Sequence, residues 1–186
     1  MSKIQEAFIT SGKFLAAQGC LENSEVILFG VPFDGTVSFR PGSRFGPAAI
    51  RQVSPGIEEY SVYSDKDLRA FTFTDLGDLE LPLGNTEKCM NVIYHTARKL
   101  FSLGKIPIIL GGEHLITWPA VRAAAEKYPD LAVLHFDAHA DLREEYLGEK
   151  YSHASVIRLC TELLADGSVY QVGIRSGDKP EFVYAQ

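Results

Sequence analysis

Cysteine is scarce in this chain: three occur, at Cys20, Cys89 and Cys160. Their odd number and wide spacing exclude a small disulfide scaffold and a local cysteine zinc knuckle. Reduced, mostly buried thiols of a cytoplasmic protein are the expectation. Positive charge is also short. Eighteen basic side chains stand against 24 acidic ones, for a formal net charge of -6. That balance lacks the Lys/Arg stripe of a nucleic-acid binder, so no nucleic-acid partner is expected. No apolar run is long enough for a membrane-spanning helix. The N-terminal MSKIQEAF lacks the basic-then-apolar order of a signal peptide. No membrane partner is expected. A Walker phosphate loop is missing, and so is a G-x-S-x-G nucleophile elbow.

What is present is ordinary globular composition, 46% apolar and 23% charged over 186 residues. That length suits one domain with a sizeable core. Short apolar runs alternate with helical patterns. EVILFG (25–30), FTFTDLGD (71–78), KIPIILG (105–111), LAVLHFD (131–137) and SVYQVGIRSG (168–177) read as strands. Helices are predicted to start near Pro47, at Asn85 or Thr86, before Pro119, at Ser152 and near Lys179. Strands apolar on both faces, separated by helices, predict an α/β fold with a mostly parallel sheet covered on each side. Between Val31 and Pro47 runs a loop rich in glycine and proline that carries Arg40 and Arg44. Proline stiffness argues that it is ordered.

Chemistry-bearing residues fall just past strand C-termini, where parallel sheets place ligands. The segment DAHAD supplies Asp137, His139 and Asp141. Residues two apart on an extended chain share a face. A mixed carboxylate and imidazole set suits Mn(II), Fe(II) or Zn(II). Such ligands clustered at a buried strand end would repel one another without a cation. His114, in LGGEH, ends the neighbouring strand and is a candidate fourth ligand. Gly111 and Gly112 permit a close backbone approach there. Glu113 is not taken as a ligand. His153, in YSHAS, is a candidate proton carrier at the mouth of a helix. His95 and His135 read as structural.

The stretches GVPFDGTVSFRPGSRFGPAAIR, GGEH, DAHADLREEY and SHASVIR resemble the ureohydrolases, the arginase and agmatinase family, with wording most like bacterial agmatinases. The resemblance implies a three-layer α-β-α, arginase-like fold, here incomplete, with about five of the family's eight sheet strands. The chain then reads as the N-terminal part of a single ureohydrolase domain, 1–186. The resemblance also implies a cofactor of two Mn2+ ions, held through His114, Asp137, His139 and Asp141 with Asp137 bridging. A metal-bridging hydroxide would attack the guanidinium carbon of agmatine, giving putrescine and urea. Asp141 would pass a proton to the leaving amine, and His153 would shuttle protons or touch substrate. Where arginases carry an Asn that reads the substrate carboxylate, this chain has Arg143, followed by Glu144 and Glu145. Those two glutamates would favour the cationic end of agmatine as substrate-binding residues. The family's later aspartate-rich segment has no counterpart here. The expectation is therefore a second ion bound weakly or not at all, and an enzyme of poor activity. The alternatives are an inactive fragment or binding module, a relative acting on another linear guanidino compound, and a deacetylase-like single-metal hydrolase. The family commonly assembles, so a homo-oligomer is the expected partner besides the small guanidino substrate.

Overall fold

The structure, a computed structural model, describes residues 4–186. The reading of the extreme N-terminus begins in residues 1–3, outside the described residues. In chain order the strands are β1 (Phe8–Ile9), β2 (Val26–Val31), β3 (Tyr60–Ser61), β4 (Lys66–Asp67), β5 (Phe73–Leu79), β6 (Ile106–Gly111), β7 (Val133–Phe136) and β8 (Val169–Val172). The helices are α1 (Gly46–Val53), α2 (Thr86–Ser102), α3 (Thr117–Ala125), α4 (Val156–Thr161) and α5 (Lys179–Tyr184). Each of the five strands and five helices read from the sequence has a counterpart, although the strand read as 168–177 ends at Val172.

The expected strand count of about five is corrected. Among the described residues eight strands are present, in sheets of four, two and two. The three that the sequence did not reveal, β1, β3 and β4, are two residues long. Two residues cannot display the period-two alternation by which a strand is recognised.

The chain divides into two compact units. The first comprises Met1–Asp34, Pro41–Leu83 and Lys99–Gly112. Its sheet has the order β1-β5-β2-β6, with β1 antiparallel and the other pairs parallel. Ile27, Phe29 and Val31 of β2 are fully buried, as expected of a central parallel strand. Ala17, Leu28 and Phe73 form a further core cluster of this unit. Gly112 stands where the chain leaves β6. A Cβ there would press into the carbonyl oxygens of Phe33 and Val31. Gly112 thus lets the exits of β2 and β6 run side by side.

Arg51 of α1 is buried in this unit. Its Nε and one terminal nitrogen grip both oxygens of Asp75, at 2.7 and 2.9 Å. That same terminal nitrogen donates to the Gly77 carbonyl. The other donates to Ser11 and to Asp78. All five N–H donors of the guanidinium are used, which is the condition for keeping it buried.

The second unit comprises Gly35–Arg40, Gly84–Arg98 and Glu113–Gln186. Its sheet is the parallel pair β7 and β8, with Val133 opposite Val169 and Phe136 opposite Val172. Ala140, Leu142, Val156 and Ile157 are its core cluster, with Trp118, Val169 and Ile174 packed against them. Among the described residues no helix is long and apolar enough to cross a membrane.

Two outcomes follow. Truncating Arg51 to Ala strands two buried carboxylates and should cost about 3–5 kcal/mol in urea denaturation; Arg51→Lys should recover little, lacking the planar fork. Burial holds the Cys160 thiol up to about 12, while Cys20 is exposed. A thiol reagent at neutral pH should therefore modify Cys20 in the folded protein and reach Cys160 only on unfolding, as read by mass spectrometry.

Candidate metal centre

The site is built within the second unit, on the chain that leaves β7. The strand ends at Phe136, and the backbone of residues 137–143 is then held almost residue by residue. Asp137 N–H donates to Val172 O at 3.2 Å, and Ala138 O accepts from Arg175 and Ser176. Ala140 N–H donates to Ser176 O at 3.0 Å, and Ala140 O accepts from the Gln171 amide at 2.7 Å. Asp141 has φ of 51°, a left-handed conformation that turns the chain. Its carbonyl accepts from Ile157 and Arg158 N–H in the first turn of α4, groups that have no partner within the helix. Leu142 N–H donates to the buried Glu181 carboxylate at 2.9 Å, and Arg143 N–H to Ala154 O. The other oxygen of Glu181 accepts from Asp178 N–H, fixing the start of α5.

These bonds bring the side chains of Asp137 and Asp141 to His114. His114 Nδ1 lies 2.6 Å from Asp141 Oδ2 and 3.8 Å from Asp137 Oδ2. Its ring stacks on His135 with centroids 5.0 Å apart. One donor atom each from His114, His135, Asp137 and Asp141 lies within 4.8 Å of the others. Burial pushes the Asp137 carboxyl up, yet N–H donation from His139 and Ala138 and the nearby His114 charge outweigh it, and the net shift is downward. Burial first, then the His114 charge, lowers the His135 imidazole. A carboxylate held ionised beside imidazole nitrogens is the donor set that a first-row divalent cation takes. The residues present therefore fit a metal ion.

Of the expected ligands, His114, Asp137 and Asp141 converge. His139 is close to Asp137, with Nδ1 3.3 Å from Oδ1, but 65% of its side chain is exposed and it lies outside the tight cluster. His135, read from the sequence as structural, sits inside it. Its spacing of two from Asp137 on a strand was the signal available. His153 lines the same cavity of about 530 Å³ as His114, Asp137, His139 and Asp141. Its backbone N–H donates to Thr36 Oγ1 at 3.0 Å, and Thr36 in turn donates to Glu113 at 2.6 Å. Glu144 and Glu145 are exposed and are not part of the cavity lining. The carboxylates that line it besides the cluster are Glu113 and Glu181. Arg143 also lines it, with its charge directed to Asp178 at 2.7 Å and Glu181 at 3.5 Å.

Comparison with known proteins follows the same direction. The sequence profile of the arginase family matches residues 24–186. An agmatinase of Bacillus anthracis is 50% identical over 185 residues, covering 99% of this chain and 63% of the relative. The chain thus spans about 63% of the length of that curated relative. Among solved structures, agmatine ureohydrolase of Thermoplasma volcanium superposes with a TM-score of 0.84 at 38% identity, covering 98% of this chain and 60% of that one. Proclavaminate amidino hydrolase of Streptomyces clavuligerus superposes with a TM-score of 0.79 at 30% identity, covering 87% and 56%.

Manganese(II) at a hundred times its dissociation constant should stabilise the folded chain by about 2.7 kcal/mol. Chemical denaturation with and without manganese reads this, and Asp137→Ala should abolish the difference.

Proposed function

This chain belongs to the arginase family, and on that premise we propose that it takes part in metal-dependent hydrolysis of agmatine to putrescine and urea. The convergence of His114, Asp137 and Asp141 on one point is the observation that carries the proposal. High identity to an agmatinase over nearly all of this chain supports the substrate. His114, Asp137 and Asp141, with His139 beside them, would hold manganese, two ions being the family's complement. When bound, such an ion lowers the pKa of water and supplies positive charge where negative charge develops.

The chain's own side chains account for the remaining steps. Water adds to the guanidinium carbon, and the bond from that carbon to the alkyl nitrogen breaks. The water proton must travel to the departing amine. We assign that transfer to Asp141, whose carboxylate lies at the cavity beside His114, with Oδ2 2.6 Å from Nδ1. His153 stands on the cavity wall, its backbone fixed by Thr36 and its ring edge-to-face with Tyr146 at 5.4 Å. There it exchanges protons with solvent or contacts the substrate. Glu144 and Glu145, exposed beyond the lining, would act on a cationic tail only by long-range attraction, which salt screens. A cytoplasmic setting belongs to the same reading, supported by the unbridged thiols of Cys20 and Cys160.

The test is urea release from agmatine with added manganese. Release that depends on manganese and falls at least a hundredfold in Asp141→Asn supports the proposal. Release from other guanidino compounds with agmatine untouched moves the substrate elsewhere in the family. No release from any of them in the metal-loaded chain overturns the activity.

A further inference from the structure

His135 sits within the cluster, yet its hydrogen bonds give it a different task from its neighbours. It pairs in register with Gln171 across β7 and β8. The Gln171 side-chain nitrogen lies 2.7 Å from Ala140 O and 2.9 Å from His135 Nδ1. A carbonyl oxygen only accepts, so the group facing Ala140 has to be the amide NH2 and not its oxygen. One hydrogen of that NH2 goes to Ala140. The other points at His135 Nδ1, which must accept it. An imidazole that accepts at Nδ1 is neutral and carries its one proton on Nε2.

Nε2 is buried and makes no hydrogen bond. The carboxylate facing it is that of Asp137, with Oδ2 at 3.5 Å. Closing that gap to a normal N–H···O distance takes a shift of ~0.6 Å. A metal ligand would need the opposite arrangement, with a lone pair on Nε2 and a hydrogen on Nδ1. That hydrogen would collide with the Gln171 NH2, donor against donor. We propose that His135 is a positioning residue: Gln171 fixes its tautomer, and its Nε2–H orients the Asp137 carboxylate. The tautomer rests on these hydrogen bonds alone, whereas its use to a bound ion rests on the metal reading given above. Carboxylates that ligate metals are commonly held by such outer partners, and loss of one costs about 10–100-fold in affinity.

Long-range nitrogen–proton NMR of the uniformly labelled full chain tests this, with zinc(II) as a diamagnetic probe and His135→Asn to assign the signals. The expected spectrum shows His135 as the Nε2–H tautomer before and after zinc, while a ring nitrogen of His114 moves. A proton on Nδ1, or a zinc-induced move of His135 Nε2, overturns the proposal. If zinc moves no histidine, the metal reading falls and the orienting role with it, while the tautomer is still decided by the same spectrum. In calorimetry, Gln171→Leu should weaken zinc binding 10–100-fold. Unchanged affinity in a variant with unchanged circular dichroism also overturns it.

Discussion

Hydrogen bonding of the backbone between Asp137 and Arg143 is the constraint on which the candidate centre depends. Two carboxylates and an imidazole repel solvent loss and, in the carboxylates' case, each other. They stay together only if the chain that carries them has nowhere else to go. Partners from β8, from the segment after it, from α4 and from α5 supply that confinement. The left-handed turn at Asp141 is the strained element. It is tolerated because the same residue's carbonyl satisfies two N–H groups of α4 while its carboxylate bonds to His114. One residue therefore starts a helix with its main chain and completes the cluster with its side chain.

The first unit solves a related problem differently. There a buried cation is neutralised inside the fold by two aspartates, and every donor is matched. In the second unit Asp137 and Asp141 face histidines, and no Arg or Lys is paired with them among the described residues. Asp137 is kept ionised despite burial. The contrast separates a structural ion cluster from one that invites an external ion.

Much of this was legible in the residues. LGGEH and DAHAD stand at strand ends because the apolar runs before them end there. Their chemistry could be named without coordinates. What was not legible has a physical cause in each case. Parity along an extended chain holds only while the chain is extended. After Phe136 it is not, so Asp141 packs against His114 while His139 stays at the exposed face of the cavity, beside Asp137. Glu144 and Glu145, whose charge had suggested contact with a cationic substrate, lie outside the cavity lining although Arg143 and Tyr146 on either side belong to it. Glu181, which anchors the loop through Leu142, is 39 positions away in the chain and has no local signature. The hydrogen bond that sets His135 apart from the ligands comes from β8 and is visible only once the strands are paired.

The single tryptophan of the chain packs against the cluster of Ala140 and Leu142, the two residues that flank Asp141, and its ring lies against Tyr151 with centroids 4.9 Å apart. Trp118 is thus an optical probe built into the apolar cluster that contains both neighbours of Asp141. Its emission originates from one place, so any loosening of that loop, by whatever agent, registers in fluorescence as a change in one indole rather than an average over many.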